Sequence, residues 1–322
     1  MSDLRSSRLQ VIAALKSKEL SQSLLVFTTT ARALAARANI MNALAIPVTH
    51  ENFTRNWTAA GRSFSILLST YPDVLYVSVQ NKTLDRCYLN ITSVGGYDLL
   101  DLSKVYDRDS QGFLDSIDDV AAYNAPDGAP PEFRSLVPTQ DRNGISPADI
   151  NADGVFLGPA TFERRDPGQS GAVYAASLTV PVFNNTTAVP SERATLGFMT
   201  VVFNIHSLLG VTNDTMGLGD TGQVLLLGPE SRLNRWNNAS GRFAINGVTD
   251  NFQYILPPKN RPDIVLQTQP FSQYPKAYEA WNAAGGMGNY SSVDLDAKDG
   301  FGEQSSIGWV SPGFLSCGWL SR

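Results

Sequence analysis

The first 46 residues contain neither glycine nor proline: Pro47 is the first proline and Gly61 the first glycine. Without the two commonest helix breakers, this stretch is free to run as one helix. Thiols are equally scarce. Cys87 and Cys317 are too few for a disulfide framework, and a chain of 322 residues can build a core without one. Both cysteines read as small buried residues in different parts of the chain, with a bridge between them the lesser reading. Only His50 and His206 are present as imidazoles. Charged residues make up 17 %, low for a cytosolic enzyme. No apolar run reaches the roughly 20 residues of a membrane span. Basic surplus is confined to residues 1–45, where Arg5, Arg8, Lys16, Lys18, Arg32 and Arg37 face Asp3 and Glu19 for +4. With a net charge of −5, the remainder carries −9, which argues against nucleic acid as a partner.

What is there begins with the helix itself. From Leu20, apolar or small residues recur at Leu24, Phe27, Ala31, Leu34, Ala38, Met41 and Ala45, in steps of four and three. The spacing predicts a continuous helix over about 4–46, roughly 60 Å long and longer than one small domain can cover. Such a helix serves as a spine for more than one module, as a dimer seam, or as both. Lys16, Lys18, Glu19, Gln22, Arg32 and Arg37 interrupt the apolar residues, which excludes a signal peptide or a membrane span.

Asn-x-Ser/Thr sequons stand at Asn52, Asn56, Asn81, Asn90, Asn184, Asn185, Asn213, Asn238 and Asn289. That is nine, where the composition predicts about three by chance. The excess points to an extracytoplasmic chain with these asparagines on exposed loops or strand edges.

Trp57–Tyr71 reads as a second helix ended by Pro72. Val74–Gln80 alternates as a half-buried strand and returns as Asp85–Thr92 after an Asn81-Lys82-Thr83 turn. Ala172–Phe183 and Ala194–Asn204 form a second pair. Between them, 101–169 is rich in proline and glycine and reads as an irregular cap, with a helix near Ser110–Ala122. Beyond a linker at Val211–Asp220, strands are expected at Gln223–Leu227, Phe252–Leu256, Tyr290–Leu295, Gln304–Val310 and Phe314–Ser321, with a helix at Pro275–Ala284. The fold class is therefore α+β. It divides into a spine (1–50), a first antiparallel module with flanking helices (51–210) and a second (211–322). The last strand stops at Arg322 without a polar tail, and a membrane segment is expected just beyond it.

The chemical motifs fail on context. Gly217-x-Gly219-x-x-Gly222 matches a dinucleotide pattern, but a strand follows where a helix N-terminus is required. His50-Glu51 opens like a zinc helix, with Thr54 in place of the second histidine. Asp149, Asn151, Asp153 and Gly154 begin like a calcium loop that ends on Ala160 instead of a glutamate. Ser170 lies outside a nucleophile elbow. Asp107/Asp109 and Asp118/Asp119 read as solvated loop charges. No enzyme, metal or cofactor site is expected.

A long N-terminal helix followed by two small α/β modules resembles the double Cache (tandem PAS-like) sensor domain of membrane receptors. Ala172–Phe183 and Ala194–Asn204 resemble closing strands of its first module, and Gly219–Leu227 the opening strand of its second. More closely, Leu4–Lys16 and Ile307–Pro312, with Cys317 and Trp319, are similar to the two ends of the extracellular region of fungal osmosensing hybrid histidine kinases. The resemblance implies an extracellular sensor between two membrane helices, with a cytoplasmic kinase and phosphorelay downstream. The amino-acid-binding signature of some double Cache domains, an Arg followed by Trp-Tyr and later Asp, has no match here. The expected assembly is a homodimer whose seam is Leu20, Leu24, Phe27, Ala31, Leu34, Ala38, Met41 and Ala45. The rival reading is a secreted, glycosylated carbohydrate-active or carbohydrate-binding protein.

Overall fold

The computed structural model describes residues 2–47, 49–68, 70–84, 87–92, 156–163, 173–184, 194–218, 223–229, 251–256, 264–265, 267–275, 291–298, 304–310 and 320–321. Helix α1 spans Ser2–Ala35, with Asp3 in its first turn and Arg32 in its last, each favourable to the helix dipole. It does not run on to residue 46. Arg37 N–H donates to Leu34 O at 3.3 Å, one residue short of the α-helical partner. Arg37 itself is extended (φ −70°, ψ 131°), and α2 restarts at Ala38–Ala45. The break re-phases the chain. An unbroken helix would turn Ala38 and Ala45 inward; instead both are exposed, and α2 buries Ile40 and Ala43 with Met41 half-buried against the core. Burying an isoleucine rather than an alanine favours the kinked path.

Helix α3, Phe53–Leu68, turns Phe53, Trp57, Ala60, Phe64 and Leu68 to the same core. Strands β1 (Val74–Asn81), β2 (Cys87–Thr92), β3 (Phe156–Glu163), β4 (Val173–Phe183) and β5 (Thr195–Asn204) form an antiparallel sheet in the order β2-β1-β5-β4-β3. One face is an apolar lattice: Val77 sits opposite Val201, which sits opposite Leu178, and Val79–Met199–Val180 repeats the row. This face meets the helices, and Phe27 of α1 stacks on Phe203 at 4.7 Å between ring centroids.

β3 lies within the stretch expected to be irregular. Gly158-Pro159 breaks its strand pattern, and the pairing with β4 shifts register between Leu157 and Ala160, where that dipeptide stands. An edge strand tolerates such a proline. The helix expected at Ser110–Ala122 and most of that at Pro275–Ala284 lie outside the described residues.

After a 3-10 turn (Ile205–Leu208) and a short α4 (Leu209–Asn213), a second sheet follows. Its strands are β6 (Leu226–Pro229), β7 (Asn251–Tyr254), β8 (Thr268–Pro270), β9 (Ser291–Lys298), β10 (Gln304–Val310) and β11 (Leu320–Ser321), in the order β8-β7-β6-β11-β10-β9. Phe252 packs against Tyr254, Phe271 and Tyr274 at 5.3–5.4 Å, and the Tyr254 and Tyr274 hydroxyls meet at 3.2 Å. β8, only three residues long, is absent from the sequence reading. α1 contacts β4 and β5 of the first sheet and β9, β10 and β11 of the second.

The stripe Leu20, Leu24, Phe27, Ala31 and Leu34 is buried in the chain's own core. The seam expected along it is therefore corrected: those five side chains already face a sheet, and a partner helix finds no free surface on them. Phe27→Ala should cost about 3–5 kcal/mol in equilibrium unfolding by opening this core. Exposed Ile66→Ala on α3 should stay within about 0.5 kcal/mol of the parent.

Candidate functional site

The first sheet's second face is the unexpected one. The alternation in β1 predicts Tyr76, Ser78 and Gln80 pointing to solvent, but all three are buried, so β1 is covered on both sides. Sheet register places Asn90, Ser78, Thr200 and Thr179 in one row, with Tyr76, Val202 and Ser177 in the next. The result is a buried sheet face lined by hydroxyl and amide groups. Thr179 Oγ1 and Thr200 Oγ1 are 2.7 Å apart. Tyr76 O–H donates to Asn90 Oδ1, and Cys87 Sγ lies 3.1 Å from that oxygen and 3.2 Å from Ser78 Oγ. Ser177 Oγ is fully buried and has no hydrogen-bond partner among the described residues. An unsatisfied buried hydroxyl costs about 1–3 kcal/mol, so this face holds a polar atom that the fold leaves available. Trp57 Nε1, in the opposite layer, is likewise buried without a partner among the described residues.

Two sequence readings change here. Asn90 is 9 % exposed and its carbonyl oxygen is the hub of the network, so this sequon's side chain is buried although β2 is the edge strand of its sheet. Cys87 is a half-buried thiol among polar groups rather than a small apolar core residue. Of the other sequons, Asn213 is exposed, Asn52, Asn56, Asn81 and Asn184 are half-buried, and Asn185, Asn238 and Asn289 lie outside the described residues. So do Cys317, Ser170, the calcium-like Asp149–Gly154 and the paired aspartates. His50 is exposed, and among the described residues no group of His, Cys, Asp and Glu is arranged to hold a metal. No helix among the described residues is long and apolar enough to cross a membrane.

The second feature is where α1 meets the linker between the sheets. Lys16 is 4 % exposed, yet its Nζ lies 2.5 Å from Asp214 Oδ2 and 3.0 Å from Glu19 Oε2. Burial works against the ammonium, but its hydrogen bonds to Asp214 and Glu19, with their charges, outweigh that and raise its pKa above the ordinary value. The hydrogen bond from Lys16, and then that from Met216 N–H, hold the Asp214 carboxyl below its usual range. One helical turn away, Gly217 (φ +85°) approaches Ile12. Further along, Gly308 of β10 lies so close that a Cβ there would be 3.0 Å from Leu9 O.

No family model matches the chain. Over 256 residues, 80 % of this chain, the sequence is 23 % identical to the osmosensing histidine protein kinase SLN1 of Saccharomyces cerevisiae. The chain spans 17 % of that protein's length. Among solved structures it is similar to the periplasmic sensory domain of the Campylobacter jejuni chemoreceptor Tlp1 (TM-score 0.48, 12 % identity, 99 % of this chain and 94 % of that one). It is also similar to the extracellular domain of the histidine kinase vpHK1S-Z8 (0.45, 11 %, 98 % and 91 %). A third likeness is to the ligand-binding domain of the Pseudomonas aeruginosa amino acid chemoreceptor PctC (0.44, 15 %, 96 % and 94 %). Each of these structures is named for the sensory, extracellular or ligand-binding part of a receptor rather than for a catalytic domain.

Two outcomes are expected. Peptide mapping of protein from a glycosylating host should find Asn213 modified and Asn90 bare. Acid and base should act on the Lys16–Asp214 contact only at the extremes. Asp214 is depressed, so its contribution is complete above the ordinary value of 3.8 and disappears as pH falls through the lower folded value. Lys16 is raised, so its contribution is complete below 10.5 and disappears as pH rises through the higher folded value. Melting curves of the parent and Asp214→Asn should thus stay parallel from about pH 5 to 9 and converge only at the acid and alkaline extremes.

Proposed function

We propose that these residues form the extracellular sensor domain of a transmembrane histidine kinase, with two PAS-like modules of double Cache type (51–210 and 211–322) on one spine helix. The domain reads an osmotic or turgor-related stimulus and passes it to a cytoplasmic kinase and phosphorelay. The observation that carries this reading is α1 itself. One helix packs on both sheets, so a rearrangement at the first sheet displaces the support of the second. The partial identity to an osmosensing kinase and the excess of sequons support the same reading.

The polar face of the first sheet suits a neutral solute better than an amino acid. Its described side chains are hydroxyls and amides beside Val202 and the Cys87 thiol, with no charged group among them to pair with a carboxylate or ammonium. The seam of the proposed homodimer moves to the outer face of α1. There Leu4, Val11, Leu15, Leu25 and Val26 are exposed, and Leu4, Arg8, Val11, Leu15, Lys18, Gln22, Leu25 and Thr29 continue the four-three spacing.

The test is a chimera in which residues 1–322 replace the matching region of the SLN1 kinase. Kinase output should fall as external osmolarity rises, and output from a surface-displayed chimera that ignores osmolarity would sink the reading. Val11→Asp with Leu15→Asp should shift the purified protein to monomer in sedimentation and flatten that response.

A further inference from the structure

We infer that Lys16, Glu19 and Asp214 form a releasable latch between the spine helix and the inter-sheet linker, built so that the linker can leave without stranding a buried charge. The inference stands on this geometry and holds whatever stimulus the protein reads. The position comes first. On α1, residues from Leu20 onward serve the first sheet, whereas Leu9 and Ala13 lie under Gly308 of the second. Lys16 falls between the two sets, and its partner Asp214, distant in sequence, caps the C-terminus of α4, where the chain passes from one sheet to the next.

The asymmetry of the three groups comes next. Lys16 is buried, while the side chains of Glu19 and Asp214 are 48 % and 41 % exposed. Breaking a buried ion pair is costly chiefly because it leaves one charge in a dry site with no partner. Here it does not. When Asp214 swings away, water receives its carboxylate, and Lys16 keeps the bond it donates to Glu19, on its own helix three residues on. Asp214 is also held locally: its Oδ1 accepts from Met216 N–H at 3.0 Å, and its own N–H donates to Gly210 O at 3.2 Å. The linker can therefore leave as a preformed turn. Glu19 is the spare partner that makes the open state accessible, and Asp214 is the one that closes it.

The two carboxylates thus have opposite effects, although both bond the same nitrogen, and this distinguishes a latch from a merely structural ion pair. Hydrogen–deuterium exchange on the whole protein reads the difference at amides 209–218. Asp214→Asn should speed exchange there by about tenfold or more, with β1 amides unchanged as the folding reference. Glu19→Gln should slow exchange at the same amides, because opening would then leave the ammonium alone. Lys16→Met, which removes the buried charge while keeping the length of the side chain, should speed exchange as Asp214→Asn does. Acceleration by both carboxylate variants, or no change at 209–218 in Asp214→Asn, would overturn the latch.

Discussion

Everything in this protein depends on one helix having to satisfy two sheets with a single buried face. Along α1 the buried residues change character with the surface they meet. The stretch under the first sheet uses Leu20, Leu24, Phe27 and Leu34, large enough to fill the space over a valine-rich lattice. The stretch under the second sheet uses Ala13 opposite Gly308, where helix and strand approach to backbone distance. A helix serving two clients cannot re-register for one without disturbing the other, because the side-chain spacing that suits each is fixed on a common rod. The kink at Arg37 limits the constraint to 34 residues and lets α2 choose its own buried face.

Local chemistry made much of this legible. The absence of breakers and the repeat from Leu20 mark α1, and the β-branched runs mark β4 and β5 nearly to the residue. What the sequence leaves out is what lies across from a given surface. The stripe Leu20–Leu34 reads equally well as a core face or a partner seam, since both require the same apolar period. Tyr76, Ser78 and Gln80 of β1 read as a wet face, because alternation reports polarity and not cover. The break after Ala35 has no proline or glycine to announce it; competition between Ile40 and Ala38 for the core decides it. β3 is hidden for the opposite reason, since Gly158-Pro159 suggests a turn in what is a bulged edge strand.

The candidate site was the least legible part. Ser177, Thr179 and Thr200 meet Ser78 and Asn90 across more than 80 residues of chain, and only sheet register brings them together. Lys16 and Asp214 are likewise distant, and each alone reads as an ordinary surface charge. A lysine on the apolar side of a helix carries a faint signal: Lys16 lies four residues before Leu20, in phase with the buried stripe. Asn90 shows the reverse. Its sequon is as well formed as the other eight, yet its side chain is committed to Tyr76 and Cys87.

Gly308 sets how this helix and its second sheet share movement. Most contacts between a helix and a sheet are made through side chains, whose torsions absorb small displacements before the backbone responds. Here strand backbone rests against helix backbone at Leu9, with no side chain on the strand residue to take up slack. An axial slip of α1 by a fraction of an ångström therefore reaches β10 undiminished. The missing methyl group makes this junction a rigid coupling, and any larger residue there would act as a spring.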